Sequence, residues 1–200
     1  MTSITADILP TSAPPRHGAT TIALHWGAAL VLVAAFGLGL LMEEWPRGPQ
    51  RDMAMMIHYS LGTLVLATVM LRLLRRLLLP GPVKPDAGLA GKAALAVHGM
   101  LYALMVAMPV TGAMDRWARG RPLRLFGDNL IPAPFPIGGG KLWIEAHELM
   151  AWALVALVAA HAGAALWHHF IQRDDVLRRM LPGRPGVAAG SMGQPGITAG

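Results

Sequence analysis

Residues 142–170, LWIEAHELMAWALVALVAAHAGAALWHHF, form a long apolar stretch that contains two histidines. At about 1.5 Å of rise per residue, a helix of this length can cross the ~30 Å hydrocarbon layer of a bilayer. His147 and His161 are fourteen residues apart. They therefore fall within about 40° of one helix face and about 21 Å apart along the axis. Small residues around His161, such as Gly163, leave room for a flat group near the backbone. The stretch predicts a membrane helix that offers imidazole at two depths.

Three other stretches have the same apolar character. The chain has 200 residues, of which 54% are hydrophobic and only 14% charged, unlike an ordinary soluble domain. We therefore predict an all-α membrane protein, a bundle of four transmembrane helices that binds its metal or cofactor, if any, through histidine. The four predicted spans are residues 20–42, 53–74, 93–114 and 142–170. The predicted organisation is a mobile N-terminus (1–18), a four-helix domain (19–182) and a disordered tail (183–200).

Composition and motifs exclude several classes of function. The absence of cysteine excludes thiolate-held iron–sulfur clusters, covalently attached c-type haem and cysteine nucleophiles. The N-terminus lacks the pattern of a removable signal peptide. GLGL (37–40) and IGGGK (137–141) lack the strand and helix of a nucleotide-binding motif. The formal charge of +6 is spread over loops between spans, so it indicates membrane topology rather than nucleic-acid binding.

The distribution of basic residues predicts the orientation. With four spans both termini lie on one side, and that side carries ten of the seventeen lysines and arginines. Loops rich in lysine and arginine are found mainly on the cytoplasmic side of a membrane. We therefore expect a multi-pass membrane protein with both termini in the cytoplasm.

Four histidines match in depth once the direction of each span is considered. His58 and His147 lie near the periplasmic face, whereas His25 and His161 lie nearer the cytoplasm. Two neutral imidazoles suit the two axial positions of a b-type haem, so the pattern predicts two haem b, held by His25/His161 and by His58/His147. Zinc fits less well because no further ligand accompanies either pair. Hydrogen bonds across the bundle are the structural alternative for these rings, although ionisable groups within a span are usually functional.

Each of the other polar residues in the spans has more than one candidate role. Arg72 is a candidate partner for haem propionates, or it reaches lipid headgroups. His98 lies at the depth of His25. Its candidate roles are an alternative haem ligand, a hydrogen bond to a propionate, contact with a quinone, and a hydrogen bond between helices. Glu148 is a candidate proton carrier or faces an aqueous cavity, and His168 and His169 are expected at the membrane interface.

The connection between the third and fourth spans, residues 115–141, is basic and too long for a simple turn. Its positive charges predict either steering of an anionic substrate or attachment to lipid headgroups. The candidate steering residues are Arg116, Arg119, Arg121, Arg124 and Lys141.

The chain resembles a known family. The residues that carry the likeness are His25-Trp26, Ile57-His58, Ala146-His147-Glu148 and His161, together with RLLRRLLLPGP (72–82), RGRPLRLFG (119–127) and AALWHHFIQRDDVLRRMLP (164–182). These are similar to the bacterial cytochrome b561 family, a four-helix di-haem fold shared with cytochrome b subunits of hydrogenases and formate dehydrogenases. The resemblance is strongest to short stand-alone members, which include enzymes that pass electrons from superoxide to ubiquinone. It implies that His25, His58, His147 and His161 are the axial ligands of haem iron.

Together these observations predict an oxidoreductase that transfers electrons between a periplasmic donor, superoxide, and the ubiquinone pool. One alternative is a cytochrome b anchor subunit that exchanges electrons between a periplasmic redox protein and quinone. A second is a membrane protein without redox activity, whose histidines are structural. The electron donor and the quinone site are left open by the sequence.

Overall fold

A computed structural model describes residues 17–79, 88–127 and 129–182, and the backbone is mainly helical. Four long helices follow in order: α1 (Ala19–Glu43), α2 (Pro49–Leu78), α3 (Leu89–Ala118) and α4 (Lys141–Trp167). All four are long and apolar enough to cross a membrane. The helices pack α1 on α2, α2 on α3 and α3 on α4. The predicted four-helix membrane bundle is confirmed.

Helices α1, α2 and α3 extend beyond the predicted apolar spans, most clearly α2 and α3 with 30 residues each, whereas α4 ends at Trp167, before the predicted residue 170. α2 begins at Pro49, whose fixed φ and missing N–H suit the first turn of a helix, with Asp52 in that turn. Its last turn contains Arg75 and Arg76, which stabilise the carboxyl end of the helix dipole. Polar residues therefore continue these helices past the apolar stretch. The sequence predicted a mobile N-terminus (1–18) and a disordered tail (183–200). Residues 1–16 and 183–200 lie outside the described part of the chain, so both stay predictions.

The outer surface of the bundle is apolar. Large side chains such as Leu30, Leu77 and Leu149 are 71%, 78% and 73% exposed. Such a surface would be unstable in water but is solvated by lipid tails. The protein is therefore a multi-pass membrane protein.

A small hairpin covers one end of the bundle, between α3 and α4. Strands β1 (Leu123–Leu125) and β2 (Asn129–Ile131) pair antiparallel. Leu123 and Leu125 are buried, and the backbone N–H of Phe126 donates to the Ser60 hydroxyl of α2 over 2.9 Å. The predicted long connection is thus an ordered cap. The hairpin was not predicted from the sequence. Its signal is the alternation LRL (123–125) followed by a turn that contains Gly127, which has a φ of +88°.

The opposite end is covered by residues 168–182, here called the C-terminal segment. α4 continues into a π-helical turn (His168–Gln172), and Arg173 then adopts a left-handed conformation that reverses the chain. A short 3-10 turn (Arg178–Met180) returns to α1, where Trp26 donates its indole N–H to the Met180 carbonyl over 2.8 Å. The two histidine-bearing ends of the bundle are therefore covered by different segments.

Candidate functional site

The outer pair, His58 of α2 and His147 of α4, lies at the end covered by the hairpin. The two ring centres are 6.1 Å apart and the ring planes are inclined by 75°. Each ring also reaches a neighbouring helix. The Nδ1 of His58 lies 2.9 Å from the Ala35 carbonyl oxygen, and the Nδ1 of His147 lies 3.0 Å from that of Met108. Each ring is thus fixed by a backbone carbonyl of a neighbouring helix in addition to its own helix.

The inner pair, His25 of α1 and His161 of α4, lies at the end covered by the C-terminal segment. Their ring centres are 6.2 Å apart and their planes are inclined by 70°. His98 of α3 is a third imidazole at this end, with its ring centre 5.1 Å from that of His161. Its Nδ1 lies 2.6 Å from the Ala94 carbonyl oxygen of its own helix. The structure therefore places three histidines at the inner site and two at the outer site.

The distances within the two pairs fit a metal shared between two rings. A nitrogen lies about 1.1 Å from the centre of an imidazole ring and a metal–nitrogen bond is about 2.0 Å long, so rings on opposite sides of one metal ion have centres about 6 Å apart. Both pairs have this separation. The His98–His161 distance is shorter than this geometry requires. Among the described residues no group of three or more histidines and carboxylates is placed to hold a metal ion.

The hydrogen bonds of the outer pair also suit a metal ligand. A ligand imidazole usually donates its second ring N–H to a carbonyl or carboxylate, which sets the tautomer and the ring orientation. With Nδ1–H of His58 and His147 directed at Ala35 and Met108, Nε2 is the nitrogen left to bind a metal. The residues present therefore fit the axial positions of a haem.

Cationic side chains lie near the inner pair. Arg72 donates to the Tyr102 hydroxyl over 3.4 Å, and its charge acts on both His25 and His161. The Nε of Arg179, in the C-terminal segment, is buried without a hydrogen-bond partner among the described residues. A buried donor without a partner is costly unless a bound group accepts from it. Both arginines are thus candidates for the carboxylates of a haem, and Arg179 was not identified from the sequence.

Three of the five predicted steering residues line one pocket beside the outer pair. Arg116, Arg121 and Arg124 surround a cavity of about 330 Å³ together with Asp52, Met55, Met56 and Tyr59. The Arg116 guanidinium lies over the Tyr59 ring at 5.8 Å, and the Tyr59 ring centre is 6.2 Å from that of His58. The pocket lining contains three guanidinium groups and one carboxylate, so the pocket has a net positive charge. Tyr59, which the sequence analysis did not single out, connects this pocket to His58.

The other two predicted steering residues, Arg119 and Lys141, each form an ion pair with a carboxylate four positions away in the chain. Arg119 binds the Asp115 carboxylate at 2.8 Å, an interaction that raises the pKa of Arg119, and Lys141 binds Glu145 at 2.8 Å. Each positive charge is therefore offset by a neighbouring carboxylate. Arg119 and Lys141 lie outside the set of residues that line the arginine pocket.

The remaining polar residues of the spans lie at the bundle ends. His168 bonds the Asp174 carboxylate, and the Nδ1 of His169 is buried without a hydrogen-bond partner in the described ranges. Glu148 is exposed next to His147. A groove of about 510 Å³ also lies between α3 and α4, lined by residues such as Met100, Ala103 and Ala156.

Four apolar helices with paired imidazoles at two depths define the class of membrane cytochromes b. Comparison with known proteins identifies the family. The model described as prokaryotic cytochrome b561 matches residues 16–183. The chain is 33% identical to cytochrome b561 homolog 2 of Escherichia coli over 182 residues, covering 86% of this chain and 94% of that protein. It is 35% identical to cytochrome b561 homolog 1 of the same organism, covering 84% of this chain and 98% of that protein. It is 31% identical to a probable superoxide oxidase of Yersinia pestis, covering 86% and 98%.

The chain belongs to the prokaryotic cytochrome b561 family, as the resemblance of its histidine motifs predicted. Proteins of this family hold haem b and transfer electrons within membranes. The chain is therefore a membrane electron-transfer protein of the oxidoreductase type.

Proposed function

We propose that this protein is a di-haem cytochrome b of the bacterial inner membrane that passes electrons from periplasmic superoxide to ubiquinone. The observation that carries the proposal is the pair of histidine couples, with ring centres 6.1 and 6.2 Å apart, at opposite ends of one bundle. His58 and His147 would hold the outer haem, and His25 and His161 the inner one. A haem b with two imidazole ligands changes oxidation state by one electron without binding substrate at the iron.

The arginine pocket supports an anionic donor. Arg116, Arg121 and Arg124 create a positive field at the surface next to His58, and such fields raise the encounter rate of a small anion by about 10- to 1,000-fold. Superoxide gives up one electron and leaves as dioxygen, a step that needs no proton. Two superoxide ions and two protons then convert one ubiquinone to ubiquinol. The pocket's role is to attract the anion and keep it close to the outer pair.

The orientation follows from the charge distribution. The termini lie on the more basic side, which is the cytoplasmic side by the positive-inside rule. The hairpin and the arginine pocket then face the periplasm, where superoxide would arrive. The similarity to a probable superoxide oxidase supports the same donor.

The direct test uses the purified protein in lipid nanodiscs that contain ubiquinone. A pulse of superoxide should reduce the haem absorbance bands, and the bands should reoxidise as ubiquinol appears, with two superoxide ions consumed per ubiquinol. Added superoxide dismutase should abolish both signals. Haem that superoxide leaves oxidised, under conditions where dithionite reduces it, would contradict the proposal.

An anchor subunit for a periplasmic redox protein is the second candidate function. The hairpin end exposes Phe126, Leu130 and Phe135, which are 61%, 59% and 59% exposed on the side proposed to be periplasmic. Exposed apolar groups beside a basic pocket suit a protein partner as well as lipid headgroups. A redox protein that copurifies with this chain, and that reduces its haem faster than superoxide does, would favour this candidate.

A further inference from the structure

The two histidines of the outer pair both direct Nδ1 at a backbone carbonyl of a neighbouring helix, and Nδ1 of His147 also lies 3.4 Å from the Thr111 hydroxyl. His58 of α2 directs Nδ1 at the carbonyl of Ala35 in α1, and His147 of α4 directs Nδ1 at the carbonyl of Met108 in α3. The acceptors are backbone oxygens inside helices, which already accept an N–H from the residue four positions later. Each imidazole therefore has to reach a carbonyl on the side of a complete helix.

A glycine stands four residues after each acceptor. Side chains in a helix lean toward its N-terminus, so the side chain at position i+4 lies over the carbonyl of position i. The positions in question are Gly39 after Ala35 and Gly112 after Met108. A Cβ at Gly39 would lie 3.2 Å from Cε1 of His58, and a Cβ at Gly112 would lie 3.2 Å from Cε1 of His147. Each imidazole ring therefore occupies the space that a side chain at the glycine would take.

Three described glycines of the inner half of the bundle lack such a contact. A Cβ added at Gly27, Gly99 or Gly163 would meet no described atom within 4 Å. The same is true of Gly37, two residues from Gly39 in the same helix. Among these six glycines of the spans, the close approach to a histidine ring is therefore confined to Gly39 and Gly112, which contact the two rings of one site.

We propose that Gly39 and Gly112 are positioning residues for the outer haem, because each lets a ligand imidazole lie on the neighbouring helix and donate Nδ1–H to its carbonyl. The inference rests on the proposed assignment of His58 and His147 as the ligands of one iron. The hydrogen bond increases the basicity of the ligand nitrogen, and a more basic ligand stabilises ferric iron. A methyl group at either glycine displaces the ring by a few tenths of an ångström and weakens that bond.

The test compares Gly39→Ala and Gly112→Ala with the controls Gly37→Ala and Gly99→Ala, all in the full-length protein purified with its haem. The readouts are haem content, the low-spin electron paramagnetic resonance signals and the midpoint potential of each haem. Gly39→Ala and Gly112→Ala should alter the signal of the same haem and shift its potential upward, or lower the content of that haem alone. The second haem and both control proteins should keep wild-type values.

Three results would overturn the inference while leaving the proposed function intact. These are wild-type signals in both variants, changes in two different haems, or equal loss of both haems, which would indicate a general loss of folding. A wild-type protein that binds fewer than two haems would instead refute the proposed function. The two failures are therefore distinguishable before any variant is analysed.

Discussion

The indole nitrogen of Trp26 lies 2.8 Å from the carbonyl oxygen of Met180, so α1 holds the C-terminal segment over the inner histidines by a hydrogen bond between residues 154 positions apart. Next to this bond, the backbone N–H of His17 is directed at the Arg179 carbonyl at 3.4 Å. The segment therefore closes the end of the bundle where His25 and His161 lie. Its attachment is open to direct measurement.

Replacing Trp26 with Phe should loosen the C-terminal segment. The change removes one neutral hydrogen bond, worth about 1 kcal/mol net, while it keeps most of the aromatic surface. Opening of the segment should therefore become about fivefold more frequent. Trypsin cleavage after Arg173, Arg178 and Arg179 should accelerate by that factor, because cleavage follows the population of the open form. The control is Trp167→Phe, at a 56% exposed position. Equal cleavage of both variants would show that the bond contributes nothing.

Replacing His58 or His147 with Ala should remove one haem and leave the other. Both rings belong to the same proposed site, so the double variant should lose no more haem than either single variant. We expect about half of the wild-type haem content in all three proteins, measured as haem per polypeptide. His168→Ala, at a residue bonded to Asp174, is the matched control and should keep full content. A double variant without haem would refute the pairing.

His25, rather than His98, should be the inner partner of His161. The ring centres of His25 and His161 are 6.2 Å apart, close to the separation of about 6 Å that two imidazoles on one metal require. The 5.1 Å separation of His98 and His161 is too short for rings on opposite sides of an iron. His25→Ala should therefore lose the inner haem, whereas His98→Ala should keep two haems with low-spin spectra. The reverse result would reassign the ligand.

Neutralising the arginine pocket should slow reduction by superoxide. In Arg121→Gln/Arg124→Gln the positive field beside His58 is weaker, so the second-order rate constant should fall by about tenfold at low ionic strength. Added salt should slow the wild type more than the variant, because screening acts on charges that remain. The control is Lys141→Gln/Glu145→Gln, which removes an ion pair outside the pocket without changing the net charge. Identical salt dependence in the wild type and the double variant would exclude steering by this pocket.

Mild acid should weaken the docking of the C-terminal segment on α1. Burial, followed by the charges of Arg179 and Arg72, lowers the pKa of His17 below its ordinary value of 6.5. Protonation of His17 is therefore less favourable in the docked form than in the open form, which takes up a proton as the pH falls through about 6.5. Stability of docking should be constant above that pH and decrease below it until the docked form also titrates, by at most about tenfold per pH unit for one group. Hydrogen exchange of the amides in residues 174–181, corrected for the intrinsic effect of pH, measures this. His17→Gln should remove the dependence, and an unchanged slope in that variant would assign it to another group.

Much of the bundle was predictable because its signals are local. Each apolar stretch identifies its own helix, and alternating span directions place His25 with His161 and His58 with His147 in depth. The helix ends were less predictable, since α2 and α3 continue through polar turns, which in α2 contain Pro49, Arg75 and Arg76. The hairpin was missed because its strands have three residues each, too few for a clear periodicity.

The sequence by itself determined the class of this protein: four membrane helices, histidine as the available metal ligand, and no thiol chemistry. It could do so because hydrophobicity and residue type are properties of single positions and short windows. Only the tertiary structure decided which imidazoles meet at about 6 Å, that Ala35 and Met108 accept from the outer pair, and that three arginines share a pocket while Arg119 and Lys141 are paired. Those relationships join residues from different helices. They depend on helix rotation and packing, which the spacing along one chain does not specify.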